Sequence, residues 1–475
     1  MNREIDADFN QALMFPPVLE QWIGDDHPAR FVRDLVDSLD LEALGFYVRV
    51  SEVGRPNYSV RLLLRVWLYG YFSGIRSTRK LERACLNDMG LIWLTGMNTP
   101  DHNTLWRFWL VNKQALRNIF KQSVRIAFDA DLIGFVVHAL DGTKIMARSS
   151  KRDIWDRQNL ERALNKIDES IKDIMGQVER AQRKEVGEYR LPEELKDSLK
   201  RKEVIQASIK KLDEVGRNHF HPSEPEAKMM KNTKSIELSY NAQVVADQKS
   251  GMIVAQDVVS DETDMDQLVP MLDKVQGDLG KVSQETLADG GYNSAIQLGL
   301  AEQRGYEVLT NGRKKELTAD VEWPYHSSRF IYDQQRNCCV CPKGNILTYE
   351  RTKANRSQRY KVKAYRCKSF RNCTFREQCT KDPRGRMVEI TPYHTAITRQ
   401  REKRRDPDKI QLLRARKVIV EPVFAWIKER LDFRRWTLFG LENVKVQWAL
   451  ICSTINFKKL YQYWLDQRLI LTKQC

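Results

Sequence analysis

Phe135 to Leu140 is apolar apart from His138, and this run constrains the fold more than any other stretch. A short apolar run without alternation belongs to a strand covered on both faces, which requires helices on both sides of a sheet. The run ends at Asp141-Gly142. Ser283 to Asn293 repeats the pattern, with a short strand ending at Asp289 followed by glycine. Ser239–Ala246 and Met252–Val259 read as two strands joined by a hairpin turn at Asp247–Gly251. Helices are expected over Asp264–Val275 and Ser294–Arg304, with a strand at Tyr306–Thr310. This order predicts an α/β fold, a mixed sheet flanked by helices.

Around that core the composition changes. Residues 1–15 read as an arm with little structure. Residues 1–125 are expected to form a helical N-terminal DNA-binding domain, with a helical pattern from Pro16 to about Met97: Phe31, Leu35 and Leu39 share a face, and Ser59 is placed to cap a helix running to about Tyr71. Ser77–Arg83 and Thr99–Trp109 each read as a cap followed by a helix, and the basic residues Arg79, Lys80, Arg83 and Arg107 suggest a helix-turn-helix DNA reader. The same charges also suit an ordinary bundle with a solvated face. Residues 151–230 are densely charged, with two apolar stripes separated at Leu191-Pro192, and predict an inserted helical hairpin. Residues 126–150, 231–310 and 396–465 are then the pieces of the α/β domain.

Residues 311–395 form a second, basic insertion that holds six of the nine cysteines. Cys338 and Cys341 have CxxC spacing, and Cys367, Cys373 and Cys379 follow at intervals of six. Four thiolates from this set can hold a tetrahedral zinc ion; the alternative is a set of reduced core or surface cysteines. An iron–sulfur cluster fits the spacing less well.

The 475 residues carry 79 Lys and Arg against 63 Asp and Glu, a net charge of +16. A chain so basic suits a polyanionic partner, nucleic acid before an anionic membrane. No apolar run reaches the ~18 residues of a membrane span, and the acidic, mixed first 25 residues do not read as a signal peptide. The expected location is therefore cytoplasmic, associated with the nucleoid.

Three acids stand out: Asp141, Asp289 and Glu421. The last begins an apolar segment, Val418–Arg430, with Lys428 seven residues on, nearly two helical turns away and so on the same face. A carboxylate in apolar surroundings needs a charged partner, and a metal ion on a bound phosphate chain is one. Pro422 after Glu421 equally suits an ordinary first helical turn with an acid at the helix dipole. Arg416, Lys417, Lys428, Arg434 and Arg435 are candidate phosphate contacts. Trp436 and Phe439 suit core packing better than base stacking.

LeuAspGlyThrLysIle (140–145), SerTyrAsnAlaGln (239–243), AlaAspGlyGlyTyr (288–292) and ValGluProValPhe (420–424) with Lys428 resemble a DDE transposase of a bacterial insertion sequence, in the broad group with a Tyr-Arg-Glu-Lys signature. Arg414 stands at the tyrosine position and Lys417 at the arginine position. The resemblance implies an RNase H-like catalytic domain. It also implies Mg²⁺ or Mn²⁺ held by Asp141, Asp289 and Glu421, and double-stranded DNA as substrate, both terminal inverted repeats and target. Cleavage at the ends and joining of the 3′-hydroxyl to target DNA would follow, by a protein expected to be a homodimer. The other readings are a non-catalytic DNA-binding regulator of transposase descent and a nuclease without strand transfer.

Overall fold

The computed structural model describes residues 18–47, 57–150, 154–182, 193–216, 218–221, 223–232, 235–312, 323–355 and 359–466. The expected arm at 1–15, the break at Leu191-Pro192 and the C-terminal Cys475 lie outside them. The chain divides into two units, Met1–Ala130 with Ala449–Cys475, and Asp131–Trp448.

The first unit is helical: α1 (Pro28–Ser38), α2 (Val60–Phe72), α3 (Thr78–Asn87), α4 (Met89–Thr95), α5 (His102–Val111) and α6 (Lys113–Asp129). Ser59 caps α2 as its position predicts, its hydroxyl accepting the Leu62 amide at 3.1 Å. Ser77 precedes α3 without a side-chain cap bond. Asp101 caps α5 through the Thr104 amide at 2.7 Å. The core is aromatic. Trp67 packs on Trp109 with centroids 4.9 Å apart, and Phe31 gathers Phe72, Phe457, Tyr461 and Trp464. Such ring pairs add to what their buried area already contributes.

The second unit is mixed α/β. Its main sheet contains β1 (Val137–Met146), β4 (Lys228–Lys231), β5 (Ile236–Asp247), β6 (Ile253–Val259), β7 (Glu285–Ala288) and β8 (Val308–Thr310), in the order β4-β5-β1-β7-β8. The twelve-residue β5 is long enough to pair antiparallel with β4 and then β6 along one edge, and with β1 along the other. β1 pairs parallel with β7, and β7 parallel with β8. Helices α9 (Leu268–Leu279) and α10 (Ala295–Gln303) follow β6 and β7. Val137–Leu140 is therefore buried in the middle strand of the sheet, as read from the sequence, whereas Phe135 and Val136 precede the strand and Val136 is exposed. His138 is fully buried there, its Nε2 3.5 Å from Asp247.

Two insertions interrupt the sheet. A two-stranded ladder, β2 (Trp155–Asp156) with β3 (His219–Phe220), closes the base of a charged helical hairpin, α7 (Arg157–Gln182) and α8 (Glu193–Val215). The cysteine-rich segment is an antiparallel meander of β9 (Ile331–Asp333), β10 (Cys338–Val340), β11 (Ile346–Ala354), β12 (Lys361–Cys367) and β13 (Met387–Ile390), with a short helix α11 (Arg376–Cys379) between the last two strands. After it come α12 (His394–Lys403), α13 (Pro407–Ala425), a π-helical turn (Trp426–Arg430) and α14 (Leu441–Leu465). Among the described residues no helix is long and apolar enough to cross a membrane.

Two local expectations are corrected. Asp141 does not end its strand: β1 continues to Met146 because β5 pairs with it throughout. Glu421 does not begin a helix: α13 starts at Pro407, fourteen residues earlier, so Pro422 lies inside a helix rather than in its first turn.

Candidate active site

The last parallel pair between β1 and β7 is Leu140 with Ala288, so Asp141 and Asp289 are the next residue on each strand. The register alone brings the two acids side by side at the carboxyl end of the parallel pair, where open α/β sheets hold their ligands. Their charges interact. Burial pushes the Asp141 carboxyl above the usual range, the Arg416 guanidinium and the Gly142 amide pull it back, and Asp289 pushes it up again. Asp289 caps the 3-10 turn Gly290–Tyr292, accepting the Gly291 amide at 2.8 Å.

A third carboxylate, Asp264, joins them, and sequence reasoning missed it. The sequence predicts a helix from Asp264, but α9 begins only at Leu268, leaving Asp264 in the preceding bend. Its Oδ1 accepts from Lys144 at 3.1 Å and from Asn241 and Gln243 at 2.7 Å each. The signal was present in SerTyrAsnAlaGln. Asn241 and Gln243 alternate along β5 onto one face, and two adjacent buried amides need a shared acceptor. Tyr292 lies fully buried beneath, donating to Gln243; burial and the charges of Asp264, Asp141 and Asp289 hold its phenol well above its usual range. Gly142 is required by crowding. A Cβ there would come 2.9 Å from Asp264 Oδ1. At Gly291 a Cβ would stand 2.9 Å from Asp289 Oδ1 and 3.5 Å from Asp264 Oδ2.

Arg416 points inward from α13. It is 7% exposed and donates to Asp141 Oδ2 at 2.7 Å, so its charge is committed to the acid cluster rather than to a surface. Lys428 is half-buried in the π turn. Burial and Arg434 pull its ammonium down while Asp141 and Glu429 oppose them. Lys417, Arg434 and Arg435 are exposed; Arg434 pairs with Glu429 at 2.6 Å and Arg435 donates to the Ala147 carbonyl at 3.2 Å. Glu421 is exposed on α13. It lies five residues from Arg416, about 140° around the helix at 3.6 residues per turn. Asp141, Asp289 and Asp264 are thus brought together, while Glu421 stands on the exposed side of α13. Among the described residues no three His, Cys, Asp or Glu side chains stand as a ready-made ion-holding group. Trp436 is core, packed on Phe433, Tyr240 and Trp448, while the ring of Phe439 lies exposed under the Arg148 guanidinium.

Residues 340–461 match the family described as a transposase DDE domain, and residues 17–109 match a transposase domain (DUF772). Both matches are to transposase domains, and together they support a DDE-type transposase of an insertion element. No curated protein and no solved structure matches it. In this transposase the DDE match takes in Arg416, Glu421 and Lys428, whereas Asp141 and Asp289 lie upstream of it. The N-terminal match spans α1 to α5, including Arg79 and Lys80, which are exposed on α3. Of the cysteines in the meander, Cys341, Cys367, Cys373 and Cys379 line one cavity, and Cys338 is not among them.

Proposed function

We propose that this transposase cuts the ends of its element and joins the freed 3′-hydroxyls to target DNA in an RNase H-like domain, with Asp141, Asp289 and Glu421 as the acid set. The observation that carries this reading is the β1/β7 register, which aligns Asp141 with Asp289. An antiparallel half-sheet joined to parallel strands at β1, with helices around it, supports the domain assignment. The donors at the sheet fit a hard divalent cation: the carboxylate oxygens of Asp141 and Asp289, half-buried and opening to solvent at Gly291. Mg²⁺ or Mn²⁺ held there would lower the pKa of the attacking oxygen and steady the departing one.

The chain's own groups do the rest. Arg416 opposes the effect of burial on Asp141, and Lys144 pairs with Asp264 at 3.1 Å. Asn241 and Gln243 fix the Asp264 rotamer. In cleavage a water oxygen bonds to phosphorus and the P–O3′ bond breaks. In joining, that 3′-oxygen attacks a target phosphodiester, whose own 3′-oxygen departs. A groove lined by Arg329, His394, Arg399, Arg401, Arg404 and Arg405 suits the phosphate backbone. Arg79, Lys80, Lys417, Lys428, Arg434 and Arg435 are proposed as further DNA contacts, and the acting form is proposed to be a homodimer.

The test is strand cleavage by purified protein on end-containing DNA with Mg²⁺. Asp141→Asn, Asp289→Asn and Glu421→Gln should each abolish product while end binding persists; wild-type cleavage by the two aspartate variants overturns the reading. Asp264 offers a second reading because it, rather than Glu421, stands beside the pair. If Glu421→Gln cuts normally and Asp264→Asn does not, the working trio is Asp141, Asp264 and Asp289. Nicked products without joined ones mark a nuclease, and end binding with no metal-dependent cutting marks a regulator.

A further inference from the structure

We propose that Cys341, Cys367, Cys373 and Cys379 bind one structural zinc ion that pins the β-meander, and that Cys338 and Cys339 take no part. Zinc in structural sites takes four ligands in tetrahedral array, thiolates among the commonest.

Strand alternation selects the ligands. Cys338 and Cys341 have CxxC spacing, but they are three residues apart along β10 and its extension. Residues at odd spacing on a strand point to opposite faces. Cys339 and Cys341 share a face instead. Cys339 is fully buried beside Leu347 and Tyr365, a core residue, and Cys341 packs at the margin of that core. Across the sheet Cys339 pairs with Leu347 and Leu347 with Cys367, so Cys341 and Cys367 approach the same end of one face. The chain after β12 folds back to add Cys373 and Cys379, the last residue of α11.

The four side chains line a cavity of about 20 Å³ with Tyr325, Phe330, Lys343, Phe375 and Arg386. That is room for a single ion rather than a cluster. The turn Cys341–Asn345 is shaped around its sulfur. Gly344 adopts φ +85°, and the amides of Lys343 and Asn345 both point at Cys341 Sγ, at 3.4 and 3.3 Å. The Asn345 side chain lies 3.7 Å from Cys373 Sγ. Donors aimed at sulfur stabilise thiolate and hold ligand side chains in place. Arg386 gives a second, independent indication. Its guanidinium is stacked 4.7 Å from the Trp323 centroid and donates to the Tyr325 carbonyl at 3.3 Å, yet its buried Nε has no partner among the described residues. A half-buried cation whose Nε is left unpaired suits a neighbouring anion, and a tetrathiolate zinc site carries a net charge of −2. As placed, the thiols are not drawn into a ligand set; side-chain rotation between staggered wells would close them on an ion.

The experiment is metal analysis of the full-length protein, with cobalt substitution as a readout independent of DNA chemistry. One equivalent of zinc per chain is expected. Cobalt(II) should give the visible bands of a tetrahedral site with intense sulfur-to-metal charge transfer. Cys341→Ser and Cys373→Ser should lower metal content at least about tenfold. Cys338→Ser and Cys339→Ala should retain it. Wild-type protein with neither zinc nor a cobalt–thiolate spectrum overturns the proposal, whether or not the variants fold. Loss of metal in Cys338→Ser equal to that in Cys373→Ser overturns the ligand assignment.

Discussion

Asp247 shows what a single buried carboxylate contributes. Burial alone would raise its pKa. His138 and the amides of Gly134 and Ser250 outweigh that effect, and the net shift is downward from 3.8. The Gly134, Phe135 and Lys249 amides lie 2.9 to 3.3 Å from its oxygens. A carboxyl depressed in the folded state stabilises above its unfolded pKa, and the contribution is lost as pH falls through the folded value. Asp247→Ala should therefore cost about 2–4 kcal/mol at neutral pH. Below about pH 4 the gap to wild type should shrink, as urea midpoints at the two pH values would show. A gap that stays constant would mean that Asp247 acts through packing rather than charge. Asp141 contrasts with it: it is raised instead of lowered, and sits where charge is useful rather than where a turn must be tied.

At the scale of an element, α13 is the unusual piece. Pro422 lies inside it, and the helix widens into a π turn at Trp426. An interior proline removes one amide donor and crowds the preceding turn. Val418, whose carbonyl loses that donor, is exposed, so water can take its place. Pro422→Ala should raise stability by about 1–3 kcal/mol by chemical denaturation. It should also slow strand cleavage if the altered helix is what carries Glu421 and Lys428 to the acids. Stability unchanged or lowered would show that the surroundings already accommodate the ring. π turns recur at functional sites, which makes this one a natural place for adjustment when DNA binds.

For the whole molecule, charge decides the partner class. Basic side chains that neutralise phosphates release counterions, so affinity falls linearly with salt on logarithmic axes. Arg79→Ala with Lys80→Ala should weaken binding to specific and unrelated DNA about equally and flatten the salt slope by about 2. An unchanged slope in fluorescence anisotropy titrations would remove α3 from the DNA surface.

Much of this was legible in the residues because it is written locally. A short apolar run with no alternation that ends in Asp-Gly suits a covered strand, Ser59 ahead of an apolar helix suits a cap, and the two Asp-Gly steps mark the acids that β1 and β7 align. What the sequence could not contain was register and facing. Pairing with β5 carried β1 past Asp141, a bend left Asp264 beside the aspartates, and the turning of α13 sent Arg416 inward and Glu421 outward. Alternation on β10 separated Cys338 from Cys341 despite their CxxC spacing. Periodicity and capping depend on neighbours within a few residues, so one chain determines them. Which side chains meet depends on partners from about twenty to well over two hundred residues away, and only the packed tertiary structure decides that.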